Sequence, residues 1–428
     1  MGRNSLVYLL SYCLSLLGNG IATVVFPLLV LARTGDLLAA GLVAAVAAGV
    51  SAVVGLFAGV LIDRMNRRTV SIVSDLLSAA SIAALPIVDA IWGLNMTWFV
   101  ALAAVGAFGD TPGMTARETL LPGVVRLSGG QSGSLDRIVG VRESLAAVLM
   151  LAGPGIGGLL VWLFGVGASV LWVTAGMSAL AAVVSLGIDR RAGAVEGILE
   201  SDPSSAQRKA RGVLADLVGG WRFMVGNRLV LTATIVSAFL VATMVALQTT
   251  LLPAYFLAED LPGLAGLVLA GLSLGSLIGA AAYAATVGKV TRRTWFVSGM
   301  LGIIASFAVL GTMPAVWAVL AAAVLLGLAN TPAAAVLGVA TIEATPDNLR
   351  GRVLGTQNAV IMAGPAIGTV PIAAVASAWG LQAAGVSLAV VVALVAVLAL
   401  LSPALRSLSS PAAPDNTSAK ESDHDVEH

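Results

Sequence analysis

Apart from Asp89, close to the outer end of its run, six charged side chains lie inside stretches that are otherwise almost wholly apolar: Asp75, Asp110, Arg117, Glu118, Arg142 and Glu143. All six belong to the first half of the chain. The apolar runs of the second half carry none, and Glu343 stands at the edge of one. A charge in hydrocarbon costs about 2.5–3.5 kcal/mol even on insertion scales, so each needs a partner, water or a task. Burial disfavours the charged form of a carboxyl group, which lets it take up and release a proton. Asp110 is the first candidate for that chemistry. It sits roughly 16 Å from the expected inner end of its run, at ~1.5 Å per helical residue. The alternative is an acid held structurally by a hydroxyl or amide of a neighbouring helix. Asp75 lies shallower, and it either shares the proton role or pairs with an inner arginine. Arg117, Glu118, Arg142 and Glu143 fall near inner run ends, where cross-helix pairing would satisfy them. Together with Arg350 and Arg352 they make an expected inner charge network.

The elements that must position these groups follow from composition. Hydrophobic residues make up 58% of the 428 and charged residues only 11%, with mean hydropathy +0.98, which excludes a soluble globular protein. A bilayer core of ~30 Å takes about 20 helical residues, and twelve apolar runs reach that length: 6–32, 37–62, 69–91, 96–121, 138–164, 168–188, 229–257, 263–287, 294–313, 315–342, 353–378 and 380–402. The runs are continuous rather than alternating, so they are helices and not barrel strands. The first run is too long for a signal peptide, carries Gly18-Asn19-Gly20 at its centre and lacks a small-residue cleavage site. With both termini in the cytoplasm, only Arg33 of the 23 basic residues falls on an outer turn, as the positive-inside rule requires. Trp92, Trp98, Trp162, Trp172, Trp317 and Trp379 then sit at outer helix ends, where an indole finds both apolar and polar surroundings.

The expected organisation is an all-α membrane protein with twelve transmembrane helices in two pseudo-symmetric six-helix bundles. The first bundle covers 1–188 and the second 229–402; a basic cytoplasmic connector spans 189–228 and a disordered cytoplasmic tail 403–428. The connector's end, 216–228, is amphipathic enough to lie along the inner membrane surface. The halves repeat one another. Leu135-Asp136, Gly140 and Ala152-Gly153-Pro154-Gly155-Ile156-Gly157 are matched at an offset of 211 by Pro346-Asp347, Gly351 and Ala363-Gly364-Pro365-Ala366-Ile367-Gly368. Arg64-Met65-Asn66-Arg67-Arg68-Thr69 is matched at 225 by Lys289-Val290-Thr291-Arg292-Arg293-Thr294. Pro27 pairs with Pro253, and Asp110-Thr111-Pro112 with Asn330-Thr331-Pro332. Duplicated halves of this kind place one central site between two bundles that rock against each other.

Between the second and third runs, Gly59, Asp63, Arg64, Arg67 and Arg68 form the pattern G-x-x-x-D-R-x-x-R-R. It resembles the loop signature of the major facilitator superfamily, and the resemblance implies a charge network that holds the cytoplasmic side shut. In the second half Gly288 replaces Asp63, so such a latch is one-sided. Gly153, Pro154, Gly157 and Gly158 in the fifth run resemble the G-P-x-x-G-G end of a motif of the drug:proton antiporters, although Leu149 departs from its longer form. Small residues at this density also permit close helix packing. Pro346 to Val353, Pro112 to Pro122 and Gly220-Trp221-Arg222-Phe223 are similar to the macrolide-efflux and enterobactin-exporter branch.

The resemblance implies a secondary transporter that exports a hydrophobic or amphipathic small molecule by alternating access, in exchange for protons. Asn19, Gln248, Asn330, Gln357 and Asn358 are the mid-run polar residues available to a substrate cavity; each could equally serve as interhelical glue. The expected partners are the substrate, protons and membrane lipid in the cell membrane, with no nucleic acid, metal or cofactor, and the chain acting as a monomer. An importer or uniporter on the same fold is the nearest alternative. A membrane-embedded enzyme needs clustered nucleophiles, bases or metal ligands. The only cysteine is Cys13, and both histidines, His424 and His428, lie in the tail. No G-x-x-x-x-G-K-S/T loop is present for an ATP-driven pump.

Overall fold

A chain in hydrocarbon must satisfy its own peptide groups, and a helix does so within one segment. The computed structural model describes residues 2–62, 65–127, 134–194, 219–286, 289–346 and 349–406. Its first six long helices are α1 (Arg3–Thr34), α2 (Leu37–Ile62), α3 (Arg67–Ile91), α4 (Met96–Leu127), α5 (Ser134–Phe164) and α6 (Leu171–Ser185). Six more follow: α7 (Arg228–Ala258), α8 (Leu264–Thr286), α9 (Arg292–Thr312), α10 (Val316–Glu343), α11 (Arg350–Trp379) and α12 (Leu381–Leu401). A short helix over 219–226 precedes α7. Eleven of the twelve are long and apolar enough to cross a membrane by composition alone. The exception is α4, whose hydropathy is lowered by Asp110, Arg117 and Glu118. It also continues past its expected end at 121 to Leu127, so Asp110 lies about 25 Å from that end at ~1.5 Å per residue.

Helix ends are marked by residues whose chemistry suits them. Asn66 caps α3, accepting from the N–H groups of Arg68 at 3.1 Å and Thr69 at 3.4 Å, while its amide donates to the Arg190 carbonyl at 3.0 Å. Asn227 caps α7 and Thr291 caps α9 in the same way. At the end of α1, Gly35 adopts φ +63° and returns its N–H to the Leu31 carbonyl. Apart from the end of α1, which carries Arg33, the arginine-bearing ends gather on one side of the molecule, the basic side. Trp92, Trp162, Trp172, Trp317 and Trp379 are exposed on the opposite, tryptophan side, where Trp92 also stacks on Trp98 at 5.9 Å.

Helices α1–α6 and α7–α12 form two bundles with matching internal order: α1 on α5 and α7 on α11, α2 on α4 and α8 on α10, α3 on α4 and α6, α9 on α10 and α12. The bundles meet where α2 crosses α11 and α5 crosses α8. Both crossings lean on missing side chains. A Cβ at Gly158 would stand 2.9 Å from the Gly266 Cα, and one at Gly41 would overlap the Ala373 side chain. Thr369 lies on this second crossing, its hydroxyl 3.3 Å from the Gly41 carbonyl. Gly266 follows Gly41 by 225 residues and Thr369 follows Gly158 by 211, the offsets of the sequence repeat. The two crossings are therefore one contact made twice, and both lie toward the tryptophan side.

Gly158→Val should consequently overpack the α5–α8 crossing and cost about 1–3 kcal/mol. Thermal melts in detergent would read this as a clear loss of stability. Gly176→Ala, at a helical glycine with nothing within 4 Å, is the control expected to leave the melt unchanged.

Candidate functional site

A cavity of about 520 Å³ opens among α1, α2, α3, α4 and α7. Most of its wall is apolar, with Phe26, Ile82, Leu85 and Leu102 among the lining residues. Asn19, Ser78, Ser81, Asp110, Gln248 and Thr249 supply polar groups. Two matching prolines shape it. Proline leaves the carbonyl four residues earlier without its helical donor, and in both halves that residue is a threonine on the cavity wall: Thr23 before Pro27 and Thr249 before Pro253. Their hydroxyls turn back to the helix, Thr23 to the Gly20 carbonyl at 2.7 Å and Thr249 to the Val245 carbonyl at 2.8 Å. In α7 the ladder also widens into a π turn, Leu247–Leu251, that carries Gln248 and Thr249 toward the cavity.

Asp110 stands on the α4 wall of this cavity. The Ser78 hydroxyl of α3 lies beside its carboxyl, although no hydrogen bond of good geometry closes on Ser78 Oγ. The arginine on the same helix, Arg117, is committed elsewhere. Its Nη2 donates to Asp75 of α3, and its Nη1 donates to Ser15 of α1 at 2.7 Å. Ser15 in turn donates to Asp75 at 3.2 Å, and Tyr8 donates to the Arg117 carbonyl at 3.1 Å. Asp75 and Arg117 are 3% and 7% exposed, so this is a closed, buried ion pair that ties α1, α3 and α4 together. Asp75 thus has the arginine partner that one of its two expected roles called for. Asp110 is left facing the cavity.

The arginines of the Gly59 motif act within the first bundle. Arg68 is buried and donates to the last carbonyls of α6, Ser185 at 3.2 Å and Leu186 at 2.6 Å. Positive charge is favourable at a helix C-terminus. Arg67 donates to the Thr119 carbonyl of α4 at 3.3 Å. Gly59 lies in α2, while Asp63 and Arg64 fall outside the described residues. In α5, Gly153 lies against Gly20 of α1, where a Cβ would come within 2.8 Å of backbone, and Gly157 lies against Ile21. Pro154 interrupts the same helix. Their repeat counterparts Gly364 and Gly368 of α11 pack on Ala238 and Ala242 of α7.

Among the described residues, the members of the expected inner network make these contacts. Arg142 pairs with its own neighbour Glu143 and lies 5.9 Å from the Tyr12 ring, and Glu118 is exposed. Helices α4 and α5 touch only briefly, which leaves their charges few places to meet. Arg350 and Arg352 begin α11 in the other bundle. There Arg292, at the repeat position of Arg67, makes a two-pronged bond to Glu343 at 2.6 and 2.8 Å. Arg33 pairs with Asp89 at 2.5 Å on the tryptophan side. Of the amide candidates, Asn19 and Gln248 line the cavity with Asp110. Gln357 is buried and donates to Thr341 at 3.4 Å, Asn358 is exposed on α11, and Asn330 is half-buried in α10; none of these three lines the cavity.

Two six-helix bundles around a shared cavity, with repeat-related crossings, define the architecture against which known proteins can be compared. The family model of the Major Facilitator Superfamily matches residues 8–286 and 234–425. The chain belongs to the Major Facilitator Superfamily. Among its superfamily relatives, the multidrug efflux pump Tap of Mycolicibacterium fortuitum is 33% identical over 400 residues, covering 93% of this chain and 95% of the relative. A protein of the same name from Mycobacterium tuberculosis (strain ATCC 25618 / H37Rv) is 30% identical over 399 residues, covering 91% of each. Among solved structures, a point mutant of the nucleoside transporter NupG superposes with TM-score 0.76 at 12% identity over 94% of this chain and 100% of that one. The peptide transporter POT in complex with sulfate does so with TM-score 0.76 at 12% identity over 96% of each. At such identities the structural likeness speaks for the superfamily fold alone.

Proposed function

We propose that this chain exports amphipathic small molecules from the cytoplasm in exchange for protons, with Asp110 as the coupling group. One observation carries the reading: among the described residues a single carboxyl faces a mostly apolar cavity, while the arginine on its own helix is engaged by a second carboxyl. Apolar walls with a few amides and hydroxyls suit an amphipathic body, whereas a sugar or peptide would need many more donors and acceptors. Likeness over nine-tenths of the chain to relatives named multidrug efflux pumps supports outward transport of drug-like compounds. The positive-inside rule puts the basic side in the cytoplasm. The α2–α11 and α5–α8 crossings then hold the outer side together, and exchanging them for contacts on the basic side is the alternating-access step. Protonation of Asp110 biases that equilibrium by removing a charge from the cavity wall.

The test is proton movement in everted membrane vesicles that contain the protein, followed with a pH-sensitive dye. Macrolides, siderophores and amphipathic dyes are added in turn to a preformed gradient. Collapse that depends on both compound and protein is the expected result. Silence across the panel, with the protein folded and inserted, would remove proton exchange and leave an uncoupled carrier.

A further inference from the structure

A second cavity, of about 580 Å³, lies wholly inside the second bundle between α7, α11 and α12. Its volume falls in the range of ligand pockets, roughly 300–1,000 Å³. Its wall is formed by residues such as Ala238, Phe239, Ala242, Val360, Leu388 and Val391, and the one hydroxyl among the lining side chains, Thr243, donates to the Leu240 carbonyl at 2.9 Å. Water in such a space would find no partners. Repeat symmetry makes the void conspicuous. In the first bundle α6 lies along α1, with Met177 and Ser178 against Gly18, whereas α12 touches α7 only over a short stretch and leans on α11 instead. The rim residues Ile235, Phe239 and Ile367 are exposed, and all three lie well inside their helices, at hydrocarbon depth.

The wall of this cavity is also a moving part. On one face of α11, Gly364 and Gly368 pack against α7 beside the void; on the other, Thr369 and Ala373 make the crossing with α2. Pro365 and Pro371 interrupt the helix on either side of Thr369, whose hydroxyl reaches the Pro365 carbonyl at 2.9 Å. A segment between two prolines bends more readily than regular helix. Whatever fills the cavity therefore presses on the stretch of α11 that joins the bundles.

We infer that this cavity binds a phospholipid acyl chain, and that its occupancy sets the angle at which α11 meets α2. Hydrocarbon is the one ligand that the membrane supplies at this depth and that asks for no polar partner. Occupancy then shifts the equilibrium between open and closed arrangements of the two bundles, without contact with the Asp110 cavity.

The test uses the full-length protein in nanodiscs that contain a phosphatidylcholine with a mid-chain diazirine. Photolabelled peptides are mapped by mass spectrometry. Label should concentrate at least fivefold on 235–243 and 360–372 relative to other lipid-facing helix surfaces. Val391→Trp, which fills the space from α12, should lower that label severalfold while labelling elsewhere persists; Val391→Ala, which enlarges it, should keep or raise the label. Spin labels at Met65→Cys and Gly355→Cys, in a Cys13→Ser background, should report a changed distance distribution in Val391→Trp. Uniform labelling, or label indifferent to Val391→Trp in folded protein, would overturn the site. An unchanged distance distribution would overturn the coupling to α11. Displacement of the label by an amphipathic drug at concentrations that leave other lipid labelling intact would make the occupant a drug and overturn the lipid assignment.

Discussion

Asp110→Asn is expected to abolish uphill export while leaving compound binding within about twofold of the original. The substitution keeps the size of the side chain and an oxygen beside Ser78, and removes the capacity to carry a proton. A proton gradient is worth about 2.3 kcal/mol per charge for each 100 mV, equivalent to roughly a 50-fold accumulation ratio. Loss of coupling should therefore bring the steady-state ratio in everted vesicles down from tens to about one. Equilibrium binding to purified protein separates this from a collapsed cavity, because Asn19, Gln248 and the apolar wall are untouched. Asp110→Glu should retain partial accumulation, since the proton carrier survives at a shifted position. Full uphill transport by Asp110→Asn would pass the role to Asp75, and the buried pair of Asp75 with Arg117 would then have to open during the cycle.

Much of this architecture could be read from the sequence, for identifiable reasons. A bilayer admits few structures, so long apolar runs bounded by arginines become helices whatever their neighbours, and the duplication says how the two sets correspond. Even α4 was legible as a span from its position in the order, despite the polar residues that lower its hydropathy. Its length was not, because Gly123, Val124 and Val125 continue the helix past Pro122 with no stop signal. Side-chain partnerships were harder. Asp75 and Arg117 are separated by 42 residues, and only the antiparallel register of α3 against α4 brings them together. Glu118 and Glu143 looked equivalent to them by depth, yet α4 and α5 hardly meet, so proximity to the same membrane face did not become contact. Arg292 and Glu343 could have been paired, since Arg292 occupies the repeat position of Arg67 and Glu343 ends the adjoining helix. Thr23 and Thr249 were also readable: each stands four residues before a repeat-related proline, where a helix carbonyl is freed. Nothing in the order of residues announces the void beside α12. That follows from how one helix leans.

Removing either member of the buried pair should produce the largest stability change in the molecule. Arg117→Met leaves the Asp75 carboxylate in a site that is 3% exposed, with Ser15 as its only remaining hydrogen-bond donor among the contacts described above. Asp75→Leu strands a guanidinium just as badly. Breaking a buried pair from one side costs about 3–5 kcal/mol, mostly as the penalty of the uncompensated charge. Replacing both members with apolar residues of similar volume is often neutral, so Asp75→Leu with Arg117→Met should recover all but ~1 kcal/mol, the Ser15 hydroxyl being left without its partners. Thermal melts of the two single variants and the double variant in detergent form the cycle. Additive losses would mean that the damage is steric and that the charges do little for each other. The double variant also divides the mechanism. It retains Asp110 and, if folded, should still drive accumulation, because the pair braces α1, α3 and α4 without facing the cavity. If the folded double variant instead binds compound but cannot accumulate it, the proton path includes Asp75, and Arg117 must change partners as the bundles rock.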